Sequence, residues 1–249
     1  GRLLLPIEDK IRLDVRRKGM ELLKISYEED RSLSHLLETE IKEVFDRSMP
    51  KILNLKEFVE ILQSMGVKID LKEGTLSIND KVELAIALVK LGASLEETVK
   101  YLSWQEFEFF TANILDENDF LTRIRYRFTF NKHRYEIDVV SVRFNLVLLI
   151  DCKHYKLGKG KTSALRKAAE KQFIRGEAFI SSIKKHKDKI PLPSNQKLRV
   201  VPLIVSWFHS LTTEESSVAV ISAVSFNSFI NNLDKHLDEL FFFEIPSPP

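Results

Sequence analysis

A single cysteine, Cys152, among 249 residues excludes an intrachain disulfide framework and any zinc or iron–sulfur site built from cysteines. That usage predicts a reducing, cytoplasmic compartment. Long apolar runs are also missing: the longest, about nine residues from Val200 to Phe208, is broken by Pro202 and falls far short of the roughly 20 needed to cross a bilayer. No secretory signal is expected from the N-terminal residues. Repeats, low-complexity tracts and Gly/Ser-rich linkers are absent from the pattern as well. With 44% hydrophobic and 30% charged residues, the composition is that of a globular protein long enough for one large domain or two small ones. Its wealth of charge and poverty of cysteine point towards a thermophile.

An excess of charge of one sign is lacking too, since the net charge is +2, but the basic residues are not evenly spread. Lys153, Lys156, Lys159, Lys161, Lys167, Lys171, Lys184, Lys185, Lys187 and Lys189 join Arg166 and Arg175, against only Glu170, Glu177 and Asp188. A solvated lysine-rich helix and loop is one explanation. Counter-charge for a polyanion is the other.

Apolar residues recur at helical spacing through Ile11 to Ile25, Leu33 to Phe45, Leu55 to Met65 and Val82 to Leu91, so residues 1–100 read as a mainly helical domain. Gly66 and Gly92 are stops for the last two helices. A short hairpin, residues 67–70 with 75–78 around Glu73-Gly74, makes a winged-helix-like module conceivable. From Ser103 the pattern becomes α/β. Ser103 and Glu106 have capping-box spacing and open a helix to about Leu115. Strands follow at Leu121 to Phe130, Arg134 to Val142 and Leu146 to Cys152. A helix from Ser163 to Lys185, strands at Leu198 to Trp207 and Val218 to Ala223, and a helix from Ser225 to Leu240 complete the chain before a Pro-rich tail. The order α-β-β-β-α-β-β-α predicts an α/β domain, 101–249, with a central mixed sheet flanked by helices.

Within it, two carboxylates stand out. If the second hairpin turns at Phe144-Asn145 and pairs residue 143 with 146, Asp138 lies across from Asp151, with Cβ atoms about 5 Å apart. Alternation then points Lys153 the same way as Asp151 and Cys152 the opposite way. Like charges so placed repel, and a divalent cation such as Mg²⁺ or Mn²⁺, which prefers carboxylate oxygens at about 2.1 Å, would remove the conflict. The plainer explanation is that Asp151 pairs with Lys153 or a neighbouring base at a strand end.

Phe107-Glu108, Glu136-Ile137-Asp138-Val139-Val140, Ile150-Asp151-Cys152-Lys153 and Gln172 in the next helix together resemble the PD-(D/E)XK nuclease superfamily. The likeness is greatest to Mrr-like restriction endonucleases, archaeal Holliday-junction resolvases and RecB-like nucleases, and it covers about residues 100 to 225. Ile137 stands where the motif's name has proline. The resemblance implies a restriction-endonuclease-like core with the α-β-β-β-α-β order. It implies that Asp138, Asp151, the backbone carbonyl of Cys152 and Glu108 hold Mg²⁺, that Lys153 orients or deprotonates the attacking water, and that Gln172 sits near the site. Glu106 rivals Glu108 but is assigned to capping. Glu136 is either an outer ligand or an edge charge, and His133 and His154 are left out of the catalytic set. Lys156, Lys159, Lys161 and Arg166 are expected to touch nucleic-acid phosphates, which positions DNA without reading sequence. The implied activity is a metal-dependent DNA endonuclease in repair, recombination or restriction. A structure-selective junction or flap nuclease acting as a homodimer is the alternative within that class. A non-catalytic nucleic-acid-binding or scaffolding protein that kept the fold is the alternative outside it.

Overall fold

The computed structural model describes residues 8–47, 52–154, 161–207 and 217–249. The chain divides into two compact units, the first ending at Glu106 and the second beginning at Phe107.

In the first unit, α1 (Asp9–Glu28) buries Val15, Leu22 and Leu23. It is followed by β1 (Leu36–Leu37), α2 (Glu38–Arg47), α3 (Leu55–Ser64), β2 (Ile69–Lys72), β3 (Thr75–Ile78), α4 (Lys81–Lys90) and α5 (Leu95–Val99). Helix starts follow local chemistry: Asn54, Asp80 and Ser94 each accept a backbone N–H of the first turn, as capping residues do. The expected helix over 33–45 begins only at Glu38. His35 adopts a left-handed φ of 57°, and Leu36 and Leu37 instead pair antiparallel with Leu76 and Thr75. The small sheet therefore runs β1-β3-β2. A buried ion pair joins Lys18 Nζ to Asp14 Oδ2 at 2.5 Å. Lys18 also donates to the Leu53 carbonyl at 2.8 Å, and Leu53 N donates to Asp14 at 3.0 Å. Asp14 Oδ2 thus has the hydrogen bonds that a buried charge requires, while its Oδ1 has no partner.

Helix α6 (Trp104–Glu117) carries the chain across the boundary, and its start is the capping box read from the sequence. Glu106 N donates to Ser103 Oγ at 3.2 Å, and Ser103 N donates to the Glu106 carboxylate at 2.9 Å. Then come β4 (Leu121–Phe130), β5 (His133–Arg143), β6 (Leu146–Lys153), α7 (Lys161–Ser181), α8 (Ile183–His186), β7 (Lys197–Ser206), β8 (Ala219–Ser222), α9 (Ala223–Asn231), α10 (Leu233–His236) and β9 (Phe243–Pro246). The sheet order is β4-β5-β6-β7-β8, with β9 also on β7. Pairing is antiparallel from β4 to β6 and parallel from β6 to β8, giving the mixed sheet flanked by helices. The α-β-β-β-α-β order implied by the resemblance is present. Three details differ from the expectation. The helix over 163–185 breaks at Ser182, the helix over 225–240 breaks at Asn232, and the supposed tail supplies β9.

Strand β6 is buried from Leu146 to Asp151, because helices cover both faces of the sheet there, and so it reads as a continuous apolar run. On one face, Thr111 of α6 meets Cys152; on the other, Arg175 of α7 approaches Asp151. Pro202, which interrupts β7, falls between its pairing with β9, which ends at Val200, and with β8, which starts at Leu203. A residue without an N–H is tolerated in such a gap.

Candidate active site

Strand β5 pairs with β6 from Arg143↔Leu146 to Val139↔Ile150; the ladder ends there, and the next residues on the two strands, Asp138 and Asp151, interact through their side chains. Phe144, with φ 54°, supplies the left-handed residue that a tight hairpin needs. Asp138 Oδ2 accepts from the Cys152 backbone N–H at 2.8 Å. Its carboxyl lies within hydrogen-bonding reach of Asp151, and burial, then the Asp151 charge and that hydrogen bond, push it up to about 7. The Cys152 N–H pulls the other way.

Asp151 is buried, at 5% exposure. Its Oδ2 is 3.0 Å from Lys153 Nζ and 3.8 Å from Arg175 Nη1, yet it receives no hydrogen bond. The lysine contact is close in distance but not directed along a donor–acceptor line, so charge is balanced while a lone pair stays open. The ion pair that the plainer explanation called for is therefore present together with the second carboxylate. Cys152 donates its thiol proton to Thr111 Oγ1 at 3.6 Å, and burial raises the thiol well above its ordinary value. The side chain is inert packing, leaving only its carbonyl for the expected ligand role.

Glu108 is buried, and its Oε2 accepts from Arg125 Nε at 3.2 Å. Burial raises its carboxyl, Arg125 offsets part of the rise, and the charges of Glu136 and Asp151 add to it. It is thus near the pair but engaged elsewhere. Gln172 is fully buried; its Nε2 donates to the Leu149 carbonyl at 2.9 Å and its Oε1 accepts from Arg175 Nη1 at 3.1 Å. It reaches Asp151 through Arg175. Glu136 pairs with Arg127 at 2.6 Å, the edge charge of the two readings. His154 Nδ1 accepts from Trp207 Nε1 at 2.6 Å, and His133 is exposed at the start of β5. Arg166 is exposed on α7. Lys156 and Lys159, with the Lys161 side chain, lie outside the described residues.

Two residues at the site escaped the sequence reading. Arg175 is one turn from Gln172 and could have been found from that spacing. Arg125 sits between Ile124↔Val139 and Tyr126↔Ile137, which is across from Asp138, with φ 52°. A left-handed arginine within a strand stores on the order of 1 kcal/mol of strain. The Asn131-Lys132 turn between the strands, both residues at positive φ, would have given that register.

Among the described residues no group of three or more His, Cys, Asp or Glu is set to hold a metal ion. Two abutting carboxyls with an open lone pair on Asp151 nevertheless suit a hard cation. Glu108 would join them only after leaving Arg125.

These features define an α/β protein with a carboxylate pair and a lysine at the junction of its antiparallel and parallel strands. The chain belongs to the same family as an uncharacterized protein of Archaeoglobus fulgidus, 33% identical over 141 residues that span 57% of this chain and 99% of that protein. No protein-family model matches. Among solved structures it is similar to a protein of unknown function, AF1548, at 22% identity and a TM-score of 0.27, covering 45% of this chain and 47% of that one. It is also similar to Can2 from Sulfobacillus thermosulfidooxidans in complex with cyclic tetra-adenylate, at 11% identity and a TM-score of 0.32, covering 91% and 55%. The restriction endonuclease FokI bound to DNA matches at 13% identity and a TM-score of 0.31, covering 94% and 47%. The chain spans about half the length of each of these three. No described helix is long and apolar enough to cross a membrane.

Proposed function

We propose that the chain is a metal-dependent DNA endonuclease of the PD-(D/E)XK superfamily, hydrolysing phosphodiester bonds with Mg²⁺ or Mn²⁺. The observation that carries this reading is the half-buried Asp138 held against the buried Asp151, two carboxylates kept together beside Lys153, an arrangement that works against the fold and so asks for a chemical use. Asp138, Asp151 and the Cys152 carbonyl would hold the ion, with Glu108 completing the set. Bound there, the ion would neutralise non-bridging phosphate oxygens and lower the pKa of water. Lys153 brings a positive charge to the open side of Asp151 and meets the charge that develops on the phosphate. Gln172 fixes Arg175, which limits how far Asp151 swings. The Cys152 N–H holds the Asp138 carboxylate in orientation.

The test is incubation with supercoiled, branched and single-stranded DNA in Mg²⁺ or Mn²⁺. Cleavage is expected, and Asp151→Ala and Lys153→Ala are expected to lose at least about 100-fold in rate. A marked preference for the branched substrate would select the junction or flap nuclease. One observation favours a non-catalytic nucleic-acid-binding protein instead: Glu108 is tied to Arg125 and Asp151 to Lys153. Binding without cleavage on every substrate would establish that reading and overturn the first. We also propose that the first unit is winged-helix-like, on its β1-α2-α3-β2-β3 order and β1-β3-β2 sheet.

A further inference from the structure

A cavity of about 680 Å³ lies at the outer end of the β4–β5 hairpin, where it meets α8. Arg127, Arg134, Lys185 and Lys189 line it, and Glu136, already paired with Arg127, is the one acid among its lining residues. Its walls are firm. Phe128 and Tyr135 stack with centroids 5.2 Å apart, and Lys185 Nζ donates to the Thr129 carbonyl at 3.3 Å. Behind them His186 is fully buried, sharing Nδ1 with Tyr126 Oη at 2.5 Å and Nε2 with Ser182 Oγ at 2.9 Å. Burial first, and then the charges of Lys189 and Lys185, lower His186 to about 4. The floor of the cavity is therefore neutral and its rim cationic.

We propose that this cavity binds the phosphodiester backbone of DNA upstream or downstream of the carboxylate pair. The assignment rests on the nuclease reading only for what happens next to the DNA, not for binding itself. Charge is the first argument, since a rim of four cations with a single, neutralised acid is complementary to a polyanion. Distance is the second. Arg134 and Glu136 precede Asp138 on the same strand by four and two residues, and at about 3.3 Å per residue they lie roughly 7–13 Å away. A DNA strand advances about 3.4 Å per nucleotide along its axis. The cavity thus falls about two to four nucleotides from a phosphate at Asp138 and Asp151. Such contacts fix the strand's position and carry no base sequence.

The test is binding of a fluorescein-labelled 20-base-pair duplex by the full chain in EDTA, followed by anisotropy across a range of NaCl concentrations. Each phosphate contact contributes a slope of about 0.9 in log K against log[salt]. The triple variant Arg134→Ala/Lys185→Ala/Lys189→Ala is expected to lose two to three units of slope and about 10- to 100-fold in affinity at 100 mM NaCl. Lys197→Ala/Lys235→Ala, which removes as exposed a charge elsewhere on the same unit, is expected to change neither. The single variant Lys185→Gln gives the same direction with less disturbance to the surface. Unchanged affinity and slope in the triple variant would overturn the proposal. So would displacement of the duplex by micromolar mononucleotide, which would make the cavity a nucleotide pocket. No metal and no cleavage enter this measurement, so the nuclease reading stands or falls separately, on Asp151→Ala and Lys153→Ala.

Discussion

Asp138 sets the balance between stability and chemistry at the site. A carboxyl with a folded-state value of about 7 and an unfolded value near 3.9 holds its proton better when folded. Its favourable contribution is complete below about pH 4 and is lost as pH rises through 7. Removing the charge should therefore stabilise the protein where it is most stressed. Asp138→Asn, which can still accept from the Cys152 N–H, is expected to gain about 2 kcal/mol in EDTA at pH 8, a rise in Tm of roughly 4–8 °C, while losing DNA cleavage. A fall in Tm would show that the carboxylate is structurally required. His186 acts with the opposite sign. Its folded value of about 4 lies below the unfolded 6.5, so its contribution is present above pH 6.5 and disappears as pH falls towards 4. In the wild type the two slopes oppose each other between pH 4 and 7. Asp138→Asn should unmask the histidine, losing on the order of 2 kcal/mol between pH 7 and 4.5 after allowance for partial screening. Urea midpoints of the two proteins at both pH values measure this directly.

Among the elements, β5 was legible up to the place where it matters most. The Phe144-Asn145 turn fixed the register with β6, and from there alternation brought Asp138 to Asp151. It could not show that Ile137 and Val140 belong to one core cluster. Three residues of regular strand would set them on opposite faces, so β5 changes face between them, opposite the left-handed Arg125. Nothing local in Arg123-Ile124-Arg125 announces that conformation, since an arginine enters it only when surrounding structure compels it. Arg125 and Arg175 were missed for the same reason: their places depend on pairings between elements. Helix breaks at Ser182 and Asn232 were missed because both segments keep helical periodicity across the break. Gly19 is a further case, a glycine within α1 that a helix tolerates poorly. A methyl group there would collide with the fully buried Leu88 side chain of α4. Gly19→Ala is therefore expected to destabilise the first unit by about 1–2 kcal/mol, overpacking outweighing the gain in helix propensity. Thermal denaturation followed by circular dichroism checks it, and a rise in Tm would show that Leu88 moves aside freely.

At the scale of the whole molecule, charge is unevenly distributed. Asp and Glu outnumber Lys and Arg in the first unit, while the second has the reverse balance. In a winged-helix-like unit α3 would be the groove-reading helix, yet its exposed residues include Glu57 and Glu60 beside Lys56, a poor match to phosphate-lined DNA. DNA affinity should therefore reside in the second unit, where Arg127, Arg134, Lys185 and Lys189 gather. A fragment comprising residues 102–249 keeps the Ser103–Glu106 capping box, and with it the start of α6 that carries Glu108. It is expected to bind duplex DNA within about threefold of the full chain and with the same salt slope. Glu57→Gln/Glu60→Gln in the full chain should leave both quantities unchanged. A fragment that folds, by circular dichroism, but has lost most of its affinity would move the DNA-binding surface into the first unit, and the acidic face of α3 would then need a positively charged partner of its own.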